Sequence, residues 1–176
     1  EAYADRVLAQ FGAGDILLLQ NEISALPYIL EKAHARGMEI WLNPSPMNEN
    51  VLKCNLSLVS VFVLNEVEGE QLTGTKIPTA ILDKLLQKYP HAAAVLTLGS
   101  KGAWYAKEDK RVFAPAELVR AVDTTAAGDT FIGGISAGLV EGMPIDDAVA
   151  LGQRASALCV TRHGAQPSIP YRREIA

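Results

Sequence analysis

The sequence predicts an α/β fold of three layers, with helices on both sides of a mostly parallel sheet that ends in a β-hairpin. Three observations carry this. Apolar runs of strand length recur at 15–20, 38–42, 56–64 and 92–98, and runs apolar on both faces suit a parallel sheet covered on both sides. Near the start, strand, helix and strand fit within about 28 residues, a right-handed βαβ unit by default. Farther on, Trp104, Tyr105, Val112 and Phe113 flank a polar tip from Lys107 to Lys110, which reads as a hairpin.

Taken in order, Ala4, Val7, Leu8 and Phe11 share a helical face that stops at Gly12. Ser24 is placed to cap the next helix, which carries Ile29, Leu30 and Ala33 and ends at Gly37. Asn43-Pro44-Ser45-Pro46 cannot continue regular structure. It puts a loop at the C-terminal edge of the sheet, where open α/β sheets bind ligands. At the end of the 56–64 run, Asn65 can cap a helix, and Glu68 in its first turn completes a capping box. The 77–89 segment sets Ile81, Leu82, Leu85 and Leu86 against Lys84 and Lys88, a covering helix. Thr97-Leu98-Gly99-Ser100-Lys101-Gly102 combines glycines, hydroxyls and a lysine, which lets backbone N–H groups approach an anion or simply feeds the hairpin.

A short apolar run ending at Val122 then meets Asp123-Thr124-Thr125-Ala126-Ala127-Gly128-Asp129, followed by Phe131, Ile132, Ile135 and Leu139 at helical spacing. That reads as a strand entering a helix N-terminus, where small residues leave first-turn N–H groups open to a phosphate. Asp129 beside such a site either handles the proton of an attacking hydroxyl or only complements the helix dipole. Gly133, Gly134 and Gly138, with Ala137, suit close approach to a neighbouring helix. Pro144 stands near the first turn of a second helix, Ile145 to about Thr161. It runs out into 162–168, where Gly164 suits a C-cap and free last-turn carbonyls could face a cation.

The 176 residues are enough for a single α/β domain spanning 1–176, with 49% hydrophobic and 20% charged residues. A net charge of -4 gives no encouragement to nucleic-acid or anionic-membrane binding, so any phosphate site must be local. Cys54 and Cys159 lie in no metal pattern, and a reduced cytoplasmic setting is the default. The longest apolar stretch, near 59–64, is too short to span a bilayer. His34, His91 and His163 show no metal-ligand spacing, and a chain opening on Glu1 is expected to be part of something longer.

The stretch from Asp123 to Phe131 resembles the C-terminal signature of the ribokinase (PfkB-type) family of carbohydrate kinases. Asn65-Glu66-Val67-Glu68, the 97–102 turn and Val160-Thr161-Arg162-His163-Gly164-Ala165-Gln166-Pro167-Ser168 resemble the same family in the same order, covering the chain from about Ile16 to its end. The resemblance implies a ribokinase-like fold and transfer of the γ-phosphoryl group of ATP to a sugar hydroxyl, ribose to ribose 5-phosphate first, with Mg2+ neutralising the phosphates. It makes Asp129 the base, in contact with the sugar, and Ala126, Ala127 and Gly128 the anion hole. Asn65, Glu68, Thr97, Gly99, Ser100, Gly102 and Gln153 would contact ATP or its Mg2+. Glu22 resembles the glutamate of a family Gln-Leu-Glu that touches the sugar, although Asn21 stands at the family's leucine. Asp123, Thr125, Cys159, Arg162, Gly164 and Ser168 would hold K+, mostly through backbone carbonyls.

Family members also carry an N-terminal region with the first strands, most sugar contacts and a small β-sheet lid. Nothing in this chain resembles it. The expectation is therefore the C-terminal part of a longer kinase, poorly active alone because sugar positioning and water exclusion would be lost, with a homodimer through the lid left open. Fructokinase, nucleoside kinase and ketodeoxygluconate kinase activities are the alternatives within the family. A non-catalytic remnant or assembly module is the alternative outside it.

Overall fold

Strands and helices follow one another much as the apolar pattern requires. The structure, a computed structural model, describes residues 1–175. In order they form α1 (Ala2–Leu8), β1 (Ile16–Gln20), α2 (Leu26–Ala35), β2 (Glu39–Asn43), α3 (Glu49–Leu52), β3 (Val61–Asn65), α4 (Glu66–Thr73), α5 (Pro78–Lys88), β4 (Ala93–Thr97), β5 (Gly102–Lys107), β6 (Lys110–Pro115), α6 (Ala127–Val140) and α7 (Ile145–Cys159). The strands make one six-stranded sheet in the order β1-β2-β3-β4-β5-β6. By contacts the residues group into two units, 1–96 with 106–110, and 97–105 with 111 onward. Among the described residues no helix is long and apolar enough to cross a membrane.

In the first unit β1 and β2 run parallel with Leu18 beside Trp41 and Leu19 beside Leu42, and β2 and β3 run parallel with Leu42 beside Phe62. Ile40, Leu42, Phe62 and Leu64 are buried on the strands, and Leu30, Ile81, Leu82 and Leu85 are buried on the helices. Each such side chain contributes roughly 1.5–3 kcal/mol. β1 is the exception. It ends the strand order, and Ile16 and Leu18 remain 39% and 42% exposed while Leu19 is buried.

Two local expectations are corrected here. Ser24 does not cap α2: the cap is Ala25 in the left-handed region at φ 61, without a side-chain bond, and proline in the first turn supplies the fixed φ that starts the helix. The 56–64 run is not one strand. Asn55 Oδ1 accepts from the Ser57 N–H and winds Leu56–Leu58 into a 3-10 turn, so the strand itself begins only at Val61.

β5 and β6 form the hairpin, with Glu108 at φ 50 in its turn, and in the second unit the Trp104 and Phe113 rings lie 4.9 Å apart. α6 and α7 pack at backbone distance. A Cβ on Gly134 would stand 2.7 Å from Gly152 Cα, and one on Gly138 would stand 3.1 Å from Ala148 Cα. Gly133 does not share this role, because a Cβ there would meet nothing within 4 Å. The residues 116–126 that lead from β6 into α6 form no strand. The Val122 and Asp123 N–H groups both donate to the Val160 carbonyl, at 2.7 and 3.2 Å, so the chain is drawn onto the end of α7 as an irregular segment.

Candidate functional site

The N-terminus of α6 begins at a left-handed Ala126 (φ 60, ψ 10) that offers no side-chain cap. Capping is thus left to the backbone or to a ligand. The Ala127 N–H is partly engaged, donating to Thr124 O at 3.2 Å, whereas Gly128 is exposed and open space surrounds its Cα. The positive end of a 14-residue helix adds to these amides. Asp129 is the third residue of α6 and is exposed.

Beside it lies a cavity of about 270 Å³ bordered by Gly99 and Ser100 from the turn after β4, Leu118 and Val119 from the irregular segment, Ala127 from α6, and Gln153, Ala157 and Val160. Gly99 has φ 55, which favours glycine, and Gly102 at φ 126 cannot carry a side chain, since a Cβ there would collide with the Ala114 carbonyl oxygen. Gln153 is 8% exposed, yet its side-chain amide takes no hydrogen bond among the described residues. Among the described residues no fully buried side-chain nitrogen or oxygen lacks a partner, so the amide atoms of Gln153 are open to the solvent of the cavity they line. That cavity has one apolar wall and backbone N–H groups nearby, features common in small-molecule sites.

On the other side of the 123–129 turn, Asp123 ties two loops together. Its Oδ1 accepts from the Thr125 N–H at 2.9 Å and its Oδ2 from the Gly164 N–H at 2.8 Å. The Thr125 hydroxyl above all, then the Gly164 and Thr125 N–H groups, hold its carboxyl down to about 2 from an ordinary 3.8, with a smaller pull from His163. Gly164, at φ 90, lies beyond the helix end: α7 closes at Cys159 with Val160 as its C-cap, so Gly164 shapes the following loop instead of capping. The fully buried Cys159 Sγ is 3.7 Å from Thr125 O, 3.1 Å from Ser168 Oγ and accepts from Thr130 Oγ1 at 3.3 Å. Thus Asp123, Thr125, Cys159, Gly164 and Ser168 are brought together in one place. Among the described residues no group of three or more His, Cys, Asp or Glu could hold a metal. The groups gathered here are the Asp123 carboxylate, the Thr125 carbonyl, the Ser168 hydroxyl and the Cys159 thiol, and the oxygens among them suit a weakly charged hard cation better than a transition metal.

The other candidates belong to the first unit. Asn65 Oδ1 accepts from Val67 N–H at 2.9 Å and Glu68 N–H at 3.0 Å, and Glu68 Oε2 accepts from Asn65 N–H at 3.0 Å, completing the capping box. Glu68 is 6% exposed and its second oxygen takes no hydrogen bond among the described residues. Glu22 is exposed in the turn after β1. Asn21 beside it is buried, its Nδ2 donating to Pro46 O at 2.6 Å and its N–H to Ser45 O at 3.0 Å, which gives a polar residue a structural task at that position.

Sequence reasoning passed over Leu118, Val119, Ser156 and Val160, all of which border the cavity. The available signal was that the apolar residues of 118–122 lack a partner pattern of either period. Leu118 is 99% exposed in the structure.

A family model described as pfkB family carbohydrate kinase matches residues 7–172. Ribokinase of Haemophilus influenzae is 36% identical over 178 residues, taking in 94% of this chain and 56% of that protein. Ribokinase of Staphylococcus aureus is 37% identical over 179 residues, 98% of this chain and 55% of that one. The structure of Arabidopsis thaliana ribokinase complexed with ribose and ATP is similar with a TM-score of 0.79 at 27% identity, over 91% of this chain and 54% of that chain. The chain spans about half the length of the curated relatives it matches. Its mixed, mostly parallel sheet with flanking helices is the ribokinase-like fold expected from the sequence.

Proposed function

We propose, from the premise that this chain belongs to the pfkB family of carbohydrate kinases, that it carries the ATP-binding and phosphoryl-transfer part of a sugar kinase whose acceptor is ribose. The observation that carries this reading is the cavity in which the unpaired amide of Gln153 meets Gly99, Ser100 and the first turn of α6. An adenine ring offers the donor and acceptor that this amide lacks, and Leu118, Val119 and Val160 offer it an apolar wall. The phosphates then fall toward the Gly128 N–H and the positive end of α6.

Asp129, in the first turn of that helix, accepts the proton of the attacking sugar hydroxyl as the oxygen bonds to the γ-phosphorus. Thr97 and Gly102 hold the shape of the 97–102 turn, and Glu22 is assigned to the sugar. The second oxygen of Glu68, on the helix that Asn65 caps, would suit Mg2+. The oxygens around Asp123 fit K+, whose place is beside the turn that forms the anion site. Ribose is favoured because the named relatives are ribokinases.

Calorimetric titration of the 176-residue chain with Mg-ATP should give saturable binding, with only slow ribose-dependent ADP release. No binding at millimolar ATP would refute the proposal. A purely nucleotide-binding role is the second reading, favoured by the exposure of Asp129 and the pairing of the Ala127 N–H. Asp129→Asn separates the two. As a base its loss should cut turnover by about 10²–10⁴-fold with ATP affinity nearly unchanged, whereas equal loss of both would make Asp129 structural.

A further inference from the structure

The segment after Ser168 contains no residue given a role above, yet it is anchored more firmly than a loose tail would be. Ile175 is 7% exposed and packs with Leu151, Ala155, Met143 and Leu158. Arg172 makes a two-pronged ion pair with Glu141 at the end of α6, its Nε and guanidinium nitrogen 2.9 Å from the two carboxylate oxygens. Glu174 does something different. Its Oε1 accepts from an Arg162 guanidinium nitrogen at 2.6 Å and its Oε2 from the Tyr171 N–H at 2.7 Å. Both side chains are only about one-third exposed, at 33% for Arg162 and 30% for Glu174.

Arg162 lies two residues beyond the Val160 C-cap of α7, in the loop that contains Gly164. Two tethers therefore fix that short loop. Asp123 Oδ2 holds the Gly164 N–H at 2.8 Å, and Glu174 holds the Arg162 side chain. A short loop that carries ion-binding groups must be ordered before it can bind, and pinning its flanking groups does that ordering in advance. Fixing it beforehand removes an ordering cost from ion binding.

We infer that Glu174 is a positioning residue for a monovalent cation: through Arg162 it holds the 162–164 loop in place beside Asp123, whose Oδ2 accepts from the Gly164 N–H. The inference rests on the K+ reading proposed above and adds to it a residue from the C-terminal segment. A role for Glu174 in fastening the tail alone is separable, because Arg172 fastens the same tail through Glu141.

The test follows the thermal midpoint of the 176-residue chain, with Mg-ATP present, as KCl replaces choline chloride at constant ionic strength. In the unaltered chain the midpoint should rise with K+. Glu174→Gln should need about two- to fivefold more K+ for half the rise, the size an exposed ion pair supports, and Glu174→Asp should restore part of it. Arg172→Ala should lower the starting midpoint and leave the K+ requirement where it was. An unchanged K+ requirement in Glu174→Gln, or an equal shift in Arg172→Ala, overturns the role of Glu174 and leaves the cation reading standing. No K+ response in the unaltered chain overturns the cation reading, and this inference with it.

Discussion

Gly134→Ala tests how α6 and α7 together frame the cavity lined by Gly99, Ala127 and Gln153. A Cβ at this position lies 2.7 Å from Gly152 Cα and 3.2 Å from both Gly152 N and Ala155 Cβ. Two of those atoms are backbone, so no rotamer change makes room. Carbon atoms rest at about 3.5–4.0 Å, and the helices must part by close to an ångström at the crossing. Overpacking of this kind costs about 1–3 kcal/mol, against about 1 kcal/mol regained from the better helix propensity of alanine. Gly133 is the built-in control, because a Cβ there touches nothing within 4 Å and only the propensity gain applies. The two variants should therefore differ by about 1–3 kcal/mol, which for a chain of this size means melting midpoints about 6 °C apart. Since Ala127 lies on α6 and Gln153 and Ala157 on α7, ATP affinity should fall in Gly134→Ala and hold in Gly133→Ala. Thermal melts by circular dichroism with an ATP titration measure both. Equal midpoints, or a more stable Gly134→Ala, would show that the two helices do not need this contact.

Glu68→Gln keeps an acceptor for the Asn65 N–H and should melt near the unaltered protein, while weakening ATP binding only when Mg2+ is present; a loss independent of Mg2+ would remove Glu68 from the ion. Gln153→Leu should weaken ATP binding about two- to tenfold, in line with one net hydrogen bond, and should not lower the stability of the free chain, where the amide has no partner to lose. Asp123 gives a pH signature. Its folded carboxyl titrates near 2 against an ordinary 3.8, so its stabilising effect is complete above about pH 4 and disappears as pH falls through 2. Urea midpoints of Asp123→Asn should accordingly lie below those of the unaltered chain above pH 4 and converge with them near pH 2. A gap that persists unchanged into acid would mean the carboxylate charge is irrelevant.

Features written within a few residues of one another were legible in the sequence. The Asn65 and Glu68 capping box is local chemistry at fixed spacing, and the structure contains both of its bonds. The small residues before Phe131 announced a helix start for the same reason. The error at 118–122 is instructive: an apolar run promises burial, but Leu118 and Val119 border a cavity and stay exposed instead of joining the sheet. Spacing also could not tell Gly133 from Gly134, since only the neighbour's backbone distinguishes them. The bond from Gly164 to Asp123 spans 41 positions, and no pattern along the chain encodes it. Gln153 entered as a candidate only through the family resemblance, because a glutamine midway along a helix has no signature of its own until its partners are seen to be missing.

The rim of β1 has a practical consequence. A terminal strand keeps an unmatched row of amide and carbonyl groups in water, and here the greasy flanks of Ile16 and Leu18 accompany it. Such a rim recruits extended segments from any chain that supplies them, so concentrated preparations of these 176 residues should thicken into oligomers before they denature. A lysine at position 18 would act as a guard on that rim, and handling of the purified material should improve with that one charge.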